Sequence, residues 1–357
     1  LRRYYQGTGS IFQTSTDSEV LVHLLADPEY RSKPYRVARA LDELEGSFSF
    51  LIMTKNCIMG ARDRFGFRPL SIGRLEDAFV LASETCALTQ MGAEYIRDVL
   101  PGELVTIDET GLHSRIFTER TEQHLAQCVF ELVYFARPDS VVFGQTVHSV
   151  RLKYGMRLAE EHPVQADIVT AVPDSGNSAA LGYSLKSGIP LDFGFIRNHY
   201  VGRTFIMPDA VNRTPAVGMK LSVLKEVVNG KRVVVVDDSI VRGTTSRSRV
   251  SSLRQAGARE IHMRISCPPT AFPCFYGIDF PDPAELIANT RSIEEIREFL
   301  GADSLGYLSH KGLLSPFPNP KDFCSACFSG EYPVDPKDVR GKRAFDSPAL
   351  ELDFRRR

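Results

Sequence analysis

The sequence predicts an α/β protein with a parallel sheet flanked by helices in its C-terminal half, preceded by a domain of mixed α and β structure. One observation is the run VVVV at 233–236, which is typical of a parallel strand covered on both faces. Another is the alternation of helix and strand patterns from residue 144 to residue 265, which indicates βα units. With 357 residues, 43% of them hydrophobic, the chain is long enough for two domains.

The first domain, residues 1–118, shows helix patterns at 18–25 and 34–44 and then strand patterns in SFSFLIMT, CIMGARD and AFVLASE. The segment ARDRFGFRPLSIG at 61–73 has the arginine, glycine and proline content of a tight connection between two strands. A polar stretch at 119–127 predicts an inter-domain linker, so the second domain spans 119–334 and a charged tail spans 335–357. The elements predicted in the second domain are helices at 144–162, 178–187 and 246–256, strands at 168–172, 233–236 and 260–265, and a long polar segment at 198–220.

The most informative stretch is KRVVVVDDSIVRGTTS at 231–246, where a buried strand ends in Asp237 and Asp238. Ligands bind at the carboxyl ends of strands in open α/β sheets, and two carboxylates can accept hydrogen bonds from the vicinal hydroxyls of a ribose. The loop that follows offers backbone N–H groups, hydroxyls and the start of a helix to a phosphate. Its candidate residues are Ser239, Val241, Arg242, Gly243, Thr244 and Thr245. The alternative interpretation is an ordinary turn and helix cap, and the pattern GxxxxGKS/T of a nucleotide P-loop is absent from the sequence.

A second loop, VPDSGNSAA, also follows a strand pattern and leads into a helix pattern. Its residues Ser175, Gly176, Asn177 and Ser178 are candidates for a second anion site, and a plain turn with a cap is the alternative. Together the two loops predict a phosphoribosyl transfer site.

The string VDDSIVRGTT is the signature of type I phosphoribosyltransferases for 5-phosphoribosyl 1-pyrophosphate (PRPP). Further segments resemble the glutamine PRPP amidotransferases and cover nearly all of the chain. They are ALDELEGSFSFLI (40–52), ARDRFGFRPLSIG (61–73), YFARPDS (134–140), VPDSGNSAALGYS (172–184), RNHYVGRTFIMP (197–208), PCFYGIDFP (273–281) and CSACFSGEYP (324–333).

This resemblance implies a C-terminal type I phosphoribosyltransferase fold preceded by an incomplete αββα glutaminase domain of the Ntn class. The first domain would release ammonia from glutamine, and the second would join it to C1 of PRPP, giving 5-phosphoribosylamine and pyrophosphate in the first step of purine synthesis. The family's glutaminase nucleophile is an N-terminal cysteine, whereas this sequence begins with Leu1. We therefore expect activity with ammonia and none with glutamine.

The resemblance also implies residue roles. Asp17 matches the acid that binds the α-amino group of glutamine, although a helix cap before VLVHLLA is an equal alternative. Arg197, Arg203 and Lys220 belong to the family's flexible loop over PRPP and are expected to contact phosphates, the alternative being a solvated loop with incidental charges. Gly176 and Gly218 depart from the residues common in relatives, which puts a metal-linked role of Gly176 and the closed state of the loop in doubt.

Two cofactors follow from the resemblance. Asp237 and Asp238 would help place Mg²⁺, and Cys128, Cys274, Cys324 and Cys327 match the ligands of a structural 4Fe-4S cluster. Zn²⁺ is the chemical alternative for four thiolates, and buried free thiols are the structural one. The other cysteines, Cys57, Cys86 and Cys267, are expected in the core, without disulfides.

Composition limits the partners. A formal charge of −1 predicts no binding to nucleic acid or anionic membranes, and no apolar run is long enough to cross a bilayer. We expect the small-molecule partners PRPP, glutamine and ammonia, feedback inhibition by purine nucleotides, a homo-oligomer, and a cytoplasmic location, with an organellar one left open. The functional alternatives are a base-salvage phosphoribosyltransferase, a PRPP-binding regulator without turnover, and an inactive fragment.

Overall fold

The computed structural model describes residues 1–14, 16–31, 35–118, 124–198, 221–280 and 283–336. The predictions made for Arg203, Gly218 and Lys220 concern positions outside the described residues, as do those for the tail from residue 337. No helix in the described part is long and apolar enough to cross a membrane.

The N-terminal half forms four layers. Its helices are α1 (Arg2–Gly7), α2 (Glu19–Ala26), α3 (Pro28–Arg31), α4 (Arg36–Asp42) and α5 (Thr85–Met91). Its strands are β1 (Ser49–Met53), β2 (Ile58–Arg62), β3 (Ser71–Leu75), β4 (Ala78–Ala82), β5 (Glu94–Asp98), β6 (Glu103–Asp108) and β7 (Gly111–Ile116). Two antiparallel sheets, of order β1-β2-β6-β7 and β4-β3-β5, pack face to face through Ile72 and Val105. Helices α2 and α4 cover the first sheet through Leu24 and Leu41, and α5 contacts the second, which confirms the predicted αββα arrangement.

The C-terminal half contains a parallel sheet. Its strands are β8 (Gln127–Cys128), β9 (Val141–Val142), β10 (Gln145–Thr146), β11 (Ile168–Ala171), β12 (Phe195–Arg197), β13 (Leu221–Val223), β14 (Arg232–Asp237), β15 (Glu260–Ile265), β16 (Ser304–Tyr307) and β17 (Phe323–Cys324). Its helices are α6 (Val147–Glu161), α7 (Asn177–Ser187), α8 (Lys225–Val228), α9 (Thr244–Gln255), α10 (Ile287–Thr290), α11 (Ile293–Leu300), α12 (His310–Leu314) and α13 (Ala326–Ser329). A π-helix spans Glu131–Phe135, and 3-10 turns span Pro283–Glu285 and Pro320–Asp322.

The sheet order is β11-β14-β15-β16, and all three pairings are parallel. The four valines at 233–236 are fully buried at its centre, as the continuous apolar run predicts. Because β11 and β14 are neighbours, the loops that follow them lie side by side at the carboxyl edge. The parallel α/β fold inferred from the sequence is therefore confirmed.

In the C-terminal half, the starts of two helices differ by two residues or more from the sequence prediction. The helix expected at 246–256 begins at Thr244, because Gly243 takes a positive φ of 77° and serves as its N-cap. Thr244 and Thr245 thus lie in the first helical turn. The helix expected at 144–162 begins at Val147, because β9 and β10 form a small hairpin immediately before it.

Helices α6 and α7 pack unusually closely through two glycines. A Cβ added at Gly155 would lie 1.8 Å from the carbonyl oxygen of Ala179, and one at Gly182 would lie 2.0 Å from that of Leu152. Glycine is therefore required at both positions, since the helix backbones are in direct contact.

The two halves meet along the segment ARDRFGFRPLSIG. The ring of Phe67 stacks on that of Tyr276 with centroids 4.4 Å apart, and the Phe67 carbonyl accepts from the Cys128 N–H at 2.9 Å. A second contact is made by Glu84, whose Oε2 accepts from the Arg137 N–H and the Ser140 hydroxyl, both at 2.8 Å. The boundary between residues 118 and 119 stays a prediction, because residues 119–123 are not among those described.

Candidate active site

The acidic pair lies at the carboxyl end of β14, and its four oxygens are each held by a donor from the protein. Arg249 Nη1 donates to Asp237 Oδ2 at 2.5 Å, and the Asp238 N–H donates to Asp237 Oδ1 at 3.0 Å. The hydroxyl of Ser175 donates to Asp238 Oδ2 at 2.5 Å, and that of Ser239 donates to Asp238 Oδ1. Each carboxylate oxygen has a second lone pair, so Asp237 and Asp238 can still accept hydrogen bonds from a ligand.

Both acids are buried, with 2% of Asp237 and 6% of Asp238 exposed. Burial raises the pKa of Asp237 to about 7, and the neighbouring charge of Asp238 acts in the same direction, whereas the Arg249 guanidinium lowers it. Taking a charge out of water without a partner is costly, so the ion pair with Arg249 favours the carboxylate form that ligand binding would need.

The loop after the acids has the geometry of an anion site. Among the described residues, the backbone N–H groups of residues 239–243 have no hydrogen-bond partner, and α9 begins directly behind them. Successive N–H groups without a protein partner, in a turn that leads into a helix N-terminus, form an arrangement that can bind an anion. Gly243 permits the tight turn because its φ of 77° suits glycine. An added Cβ there would also lie only 2.7 Å from Ile287 Cδ1. Arg242 is exposed and paired with Glu285 at 2.6 Å, and the carbonyl of Val241 accepts from the Ile287 N–H.

The second loop connects β11 to α7 beside the first. Ser175 reaches across to Asp238, and Ser178 is hydrogen-bonded to Nδ1 of His148 at 2.9 Å. A Cβ at Gly176 would lie 2.7 Å from the carbonyl oxygens of Val172 and Val236, so the glycine lets this turn sit against both strands. Asn177 is exposed at the start of α7, and the peptide bond between Pro173 and Asp174 is cis.

Arg197, expected to contact phosphates, is on β12 and pairs with the exposed carboxylate of Asp174 in the second loop. The guanidinium thus has a protein partner here, and its contact with a phosphate stays a prediction. Arg203 and Lys220 lie outside the described residues.

Four cysteines line one small enclosed pocket at the junction of the two halves: Cys128, Cys274, Cys324 and Cys327. Cys324 pairs with Cys128 in the β17–β8 ladder, and Phe67 and Tyr276 line the same pocket. Burial raises the pKa of all four thiols, that of Cys324 to about 11, and neighbouring thiols raise the pKa of Cys128, Cys324 and Cys327 further. No group of three or more His, Cys, Asp or Glu side chains in the described ranges is arranged to hold a metal ion. By chemical type and number alone, four thiols suit an iron–sulfur cluster or Zn²⁺, although the thiols are not arranged around one metal position here.

Asp17 lies exposed just before α2. The N-cap of this helix is Ser18, without a side-chain cap bond, and the Asp17 main-chain carbonyl accepts from the Val20 N–H. The structure thus gives no support to the helix-cap alternative for the Asp17 carboxylate. Of the cysteines expected in the core, Cys86 and Cys267 are buried and Cys57 is half-buried; the seven cysteines are all free.

Sequence reasoning missed Arg249 and His148. No local sequence pattern marks either residue as functional. Arg249 is one of several polar residues of α9, and His148 is the second residue of α6. Their placement depends on how α9 and α7 pack against the sheet, which the sequence does not display.

A family model described as a glutamine amidotransferase domain matches residues 1–90. The amidophosphoribosyltransferase of Bacillus subtilis (strain 168) is 49% identical over 340 residues, which are 94% of this chain and 71% of that protein. The chloroplastic amidophosphoribosyltransferase of Glycine max is 50% identical over 96% of this chain and 60% of its own length. A solved structure of the B. subtilis glutamine PRPP amidotransferase complexed with ADP and GMP superimposes with a TM-score of 0.84, at 49% identity, over 93% of this chain and 74% of that one. The chain spans about three fifths of the length of the chloroplastic relatives from Glycine max and Arabidopsis thaliana.

Proposed function

The chain belongs to the amidophosphoribosyltransferase family, and on that premise we propose that it makes 5-phosphoribosylamine and pyrophosphate from PRPP and ammonia, the first step of purine biosynthesis. The observation that supports this most directly is the row of unpaired N–H groups at 239–243 beside the acidic pair. That combination suits a ligand with two adjacent hydroxyls and a phosphate, as PRPP has.

Different groups of residues would bind the ribose, the 5-phosphate and the pyrophosphate of the substrate. Asp237 and Asp238 would accept hydrogen bonds from the ribose hydroxyls. The 5-phosphate would bind to the loop made by Ser239, Val241, Arg242, Gly243, Thr244 and Thr245. The pyrophosphate would bind to Ser175, Gly176, Asn177 and Ser178, with Arg197 beside them. Arg203 and Lys220 complete the proposed set of cations.

In the reaction the nitrogen lone pair of ammonia forms the bond to C1 as the bond from C1 to the pyrophosphate oxygen breaks. The electron pair of that bond leaves with pyrophosphate, and the ammonium nitrogen then loses a proton to solvent. Ammonia is already a nucleophile, so no side chain is required as general base. The second loop and the start of α7 stabilise the charge that develops on the leaving group.

Two cofactors belong to this proposal. Asp237 and Asp238 would hold Mg²⁺, which supplies positive charge to the pyrophosphate as it leaves. Cys128, Cys274, Cys324 and Cys327 would hold a 4Fe-4S cluster with a structural role, and their shared pocket between the two halves supports this.

The N-terminal half would bind glutamine, with Asp17 contacting its α-amino group; the match of residues 1–90 to a glutamine amidotransferase domain supports this. The complex of the B. subtilis relative with ADP and GMP supports feedback inhibition by purine nucleotides. The homo-oligomer and the cytoplasmic or organellar location stay predictions.

The test is pyrophosphate release from PRPP and Mg²⁺ under anaerobic conditions, with ammonium chloride at high pH, with glutamine, or with no nitrogen donor. We expect release with ammonium chloride. Asp238→Asn should remove it, whereas the control Asp167→Asn should retain it, since Asp167 pairs with Arg232 next to β14's opposite end.

Folded protein that binds PRPP without releasing pyrophosphate from any donor would contradict the proposal and favour a PRPP-binding regulator. Folded protein that does not bind PRPP would indicate an inactive fragment.

A further inference from the structure

We propose that Arg249 is a positioning residue for the transfer reaction, which fixes the Asp237 carboxylate and offsets its charge so that anionic PRPP can bind. This inference rests on the proposed function and adds a residue to its site.

Arg249 on α9 forms an ion pair with the buried Asp237 at the carboxyl end of β14. Arg249 lies in the second turn of α9, and its Nη1 is 2.5 Å from Asp237 Oδ2. The Asp237 side chain is 3% exposed and that of Arg249 is 22% exposed. The Nε of Arg249 is buried and has no hydrogen-bond partner in the described part of the chain. The buried Asp237 carboxylate is therefore paired with a guanidinium whose Nε makes no competing hydrogen bond to the described residues.

Arg249 differs in charge from the other donors to the acidic pair. Those donors are the Asp238 N–H and the hydroxyls of Ser175 and Ser239, all of them neutral. Of the cationic side chains that the structure describes, Arg249 is the one within salt-bridge distance of either acid. Two adjacent buried carboxylates repel each other and would also repel a ligand that carries a phosphate and a pyrophosphate group. The arginine thus supplies the charge that the neutral donors lack.

Orientation is the second contribution. Hydrogen bonds that involve an ionised group are the strong ones, so the guanidinium fixes the rotation of the Asp237 side chain. With one lone pair of Oδ2 used by Arg249, the remaining one points in a defined direction for a ribose hydroxyl. Without Arg249 the carboxyl group would be held by the Asp238 N–H alone, and part of the binding free energy would be spent on ordering it.

The test compares Arg249→Met and Arg249→Lys with Arg254→Met as a matched control. Arg254 lies on the same helix and pairs with Asp303, a residue outside the proposed site. For each variant we would measure KM for PRPP and kcat with ammonia, PRPP binding by calorimetry, and resistance to urea. Arg249→Met should raise KM and the PRPP dissociation constant about tenfold or more, as expected for losing a hydrogen bond to a charged group. Arg249→Lys should recover part of this loss, and Arg254→Met should stay within about twofold of the unaltered chain.

A double-mutant cycle separates positioning from a purely structural role. If Arg249 acts through Asp237, then Arg249→Met should add little to the defect of Asp237→Asn, because the partner is already altered. The inference would be overturned if the fold-changes in the PRPP dissociation constant of the two single variants multiplied fully in the double variant. An unchanged KM in folded Arg249→Met would overturn it as well. If the unaltered chain binds PRPP but does not turn over, the proposed reaction fails, while the binding measurements still test Arg249. If it does not bind PRPP at all, both fail.

Discussion

The contact between α6 and α7 offers a sharp test of the fold, because Gly155 and Gly182 allow no side chain. The perturbation is Gly155→Ala. Its new Cβ would lie 1.8 Å from the Ala179 carbonyl oxygen and 2.8 Å from the Tyr183 nitrogen, both of them backbone atoms of α7. Backbone atoms cannot rotate away as a flexible side chain can, so the two helices would have to separate.

The magnitude follows from that separation. A Cβ rarely comes within 3.0 Å of a backbone atom, so the helices must move apart by at least about 1.2 Å. Gaps of that size forfeit much of the dispersion energy between buried side chains such as Tyr154 and Tyr183. Overpacking of this kind costs about 1–3 kcal/mol or more, while alanine gains about 1 kcal/mol in helix propensity. We expect a net loss of about 2 kcal/mol, from the upper end of that range.

The assay is urea unfolding followed by far-ultraviolet circular dichroism, since the chain has no tryptophan. Gly7→Ala is the control, because a Cβ at this helical glycine of α1 meets no atom within 4 Å. It should be neutral or stabilising by up to about 1 kcal/mol. Displacement of α7 should also raise KM for PRPP, since Ser175 and Asn177 begin this helix or immediately precede it. Equal stabilities of Gly155→Ala and Gly7→Ala would refute the reasoning.

Three further outcomes are expected. Burial raises the pKa of Asp63 to about 6, so the folded state holds this proton more tightly than the unfolded chain does. The free energy of unfolding should therefore fall by about 3 kcal/mol as the pH rises from about 4 to 6. In denaturation curves, Asp63→Asn should abolish this part of the pH dependence. Glu84→Ala should lower the free energy of unfolding by about 1–3 kcal/mol, because the Arg137 N–H and the Ser140 hydroxyl lose their acceptor; an unchanged unfolding midpoint would contradict this. Cys274→Ser should reduce the iron and sulfide bound after anaerobic purification, whereas Cys86→Ser, outside the pocket, should not.

The parallel sheet and the acidic pair could be predicted because their signals are local. Four consecutive valines indicate a strand buried on both faces, and the acids that follow must emerge at its carboxyl end. The position of Ser175 next to Asp238 requires one more step, the adjacency of β11 and β14, which neither segment displays. Local patterns thus indicate the strand ends but not the order of the strands.

What could not be predicted depends on packing between distant elements. The ion pair of Arg249 with Asp237 exists because α9 crosses behind the end of β14, and arginine elsewhere on α9, as at Arg254, makes a remote pair instead. The start of α9 at Thr244 depends on the positive φ of Gly243, which a glycine in a sequence does not by itself reveal. The π-helix at Glu131–Phe135 likewise has no periodic signature that separates it from an α-helix turn.

One short segment connects the acidic pair to the cysteine pocket. The Ser266 N–H donates to the Asp237 carbonyl at 2.9 Å, and the chain then runs through buried Cys267 to Cys274 in the pocket. Burial raises the pKa of the Cys267 thiol, and the nearby charges of Asp238 and Asp237 raise it further, so this thiol lies near the acidic pair. A cluster held by the four pocket cysteines would anchor the far end of this segment. We therefore expect its loss to affect the carboxyl edge of the sheet as well as the junction of the two halves.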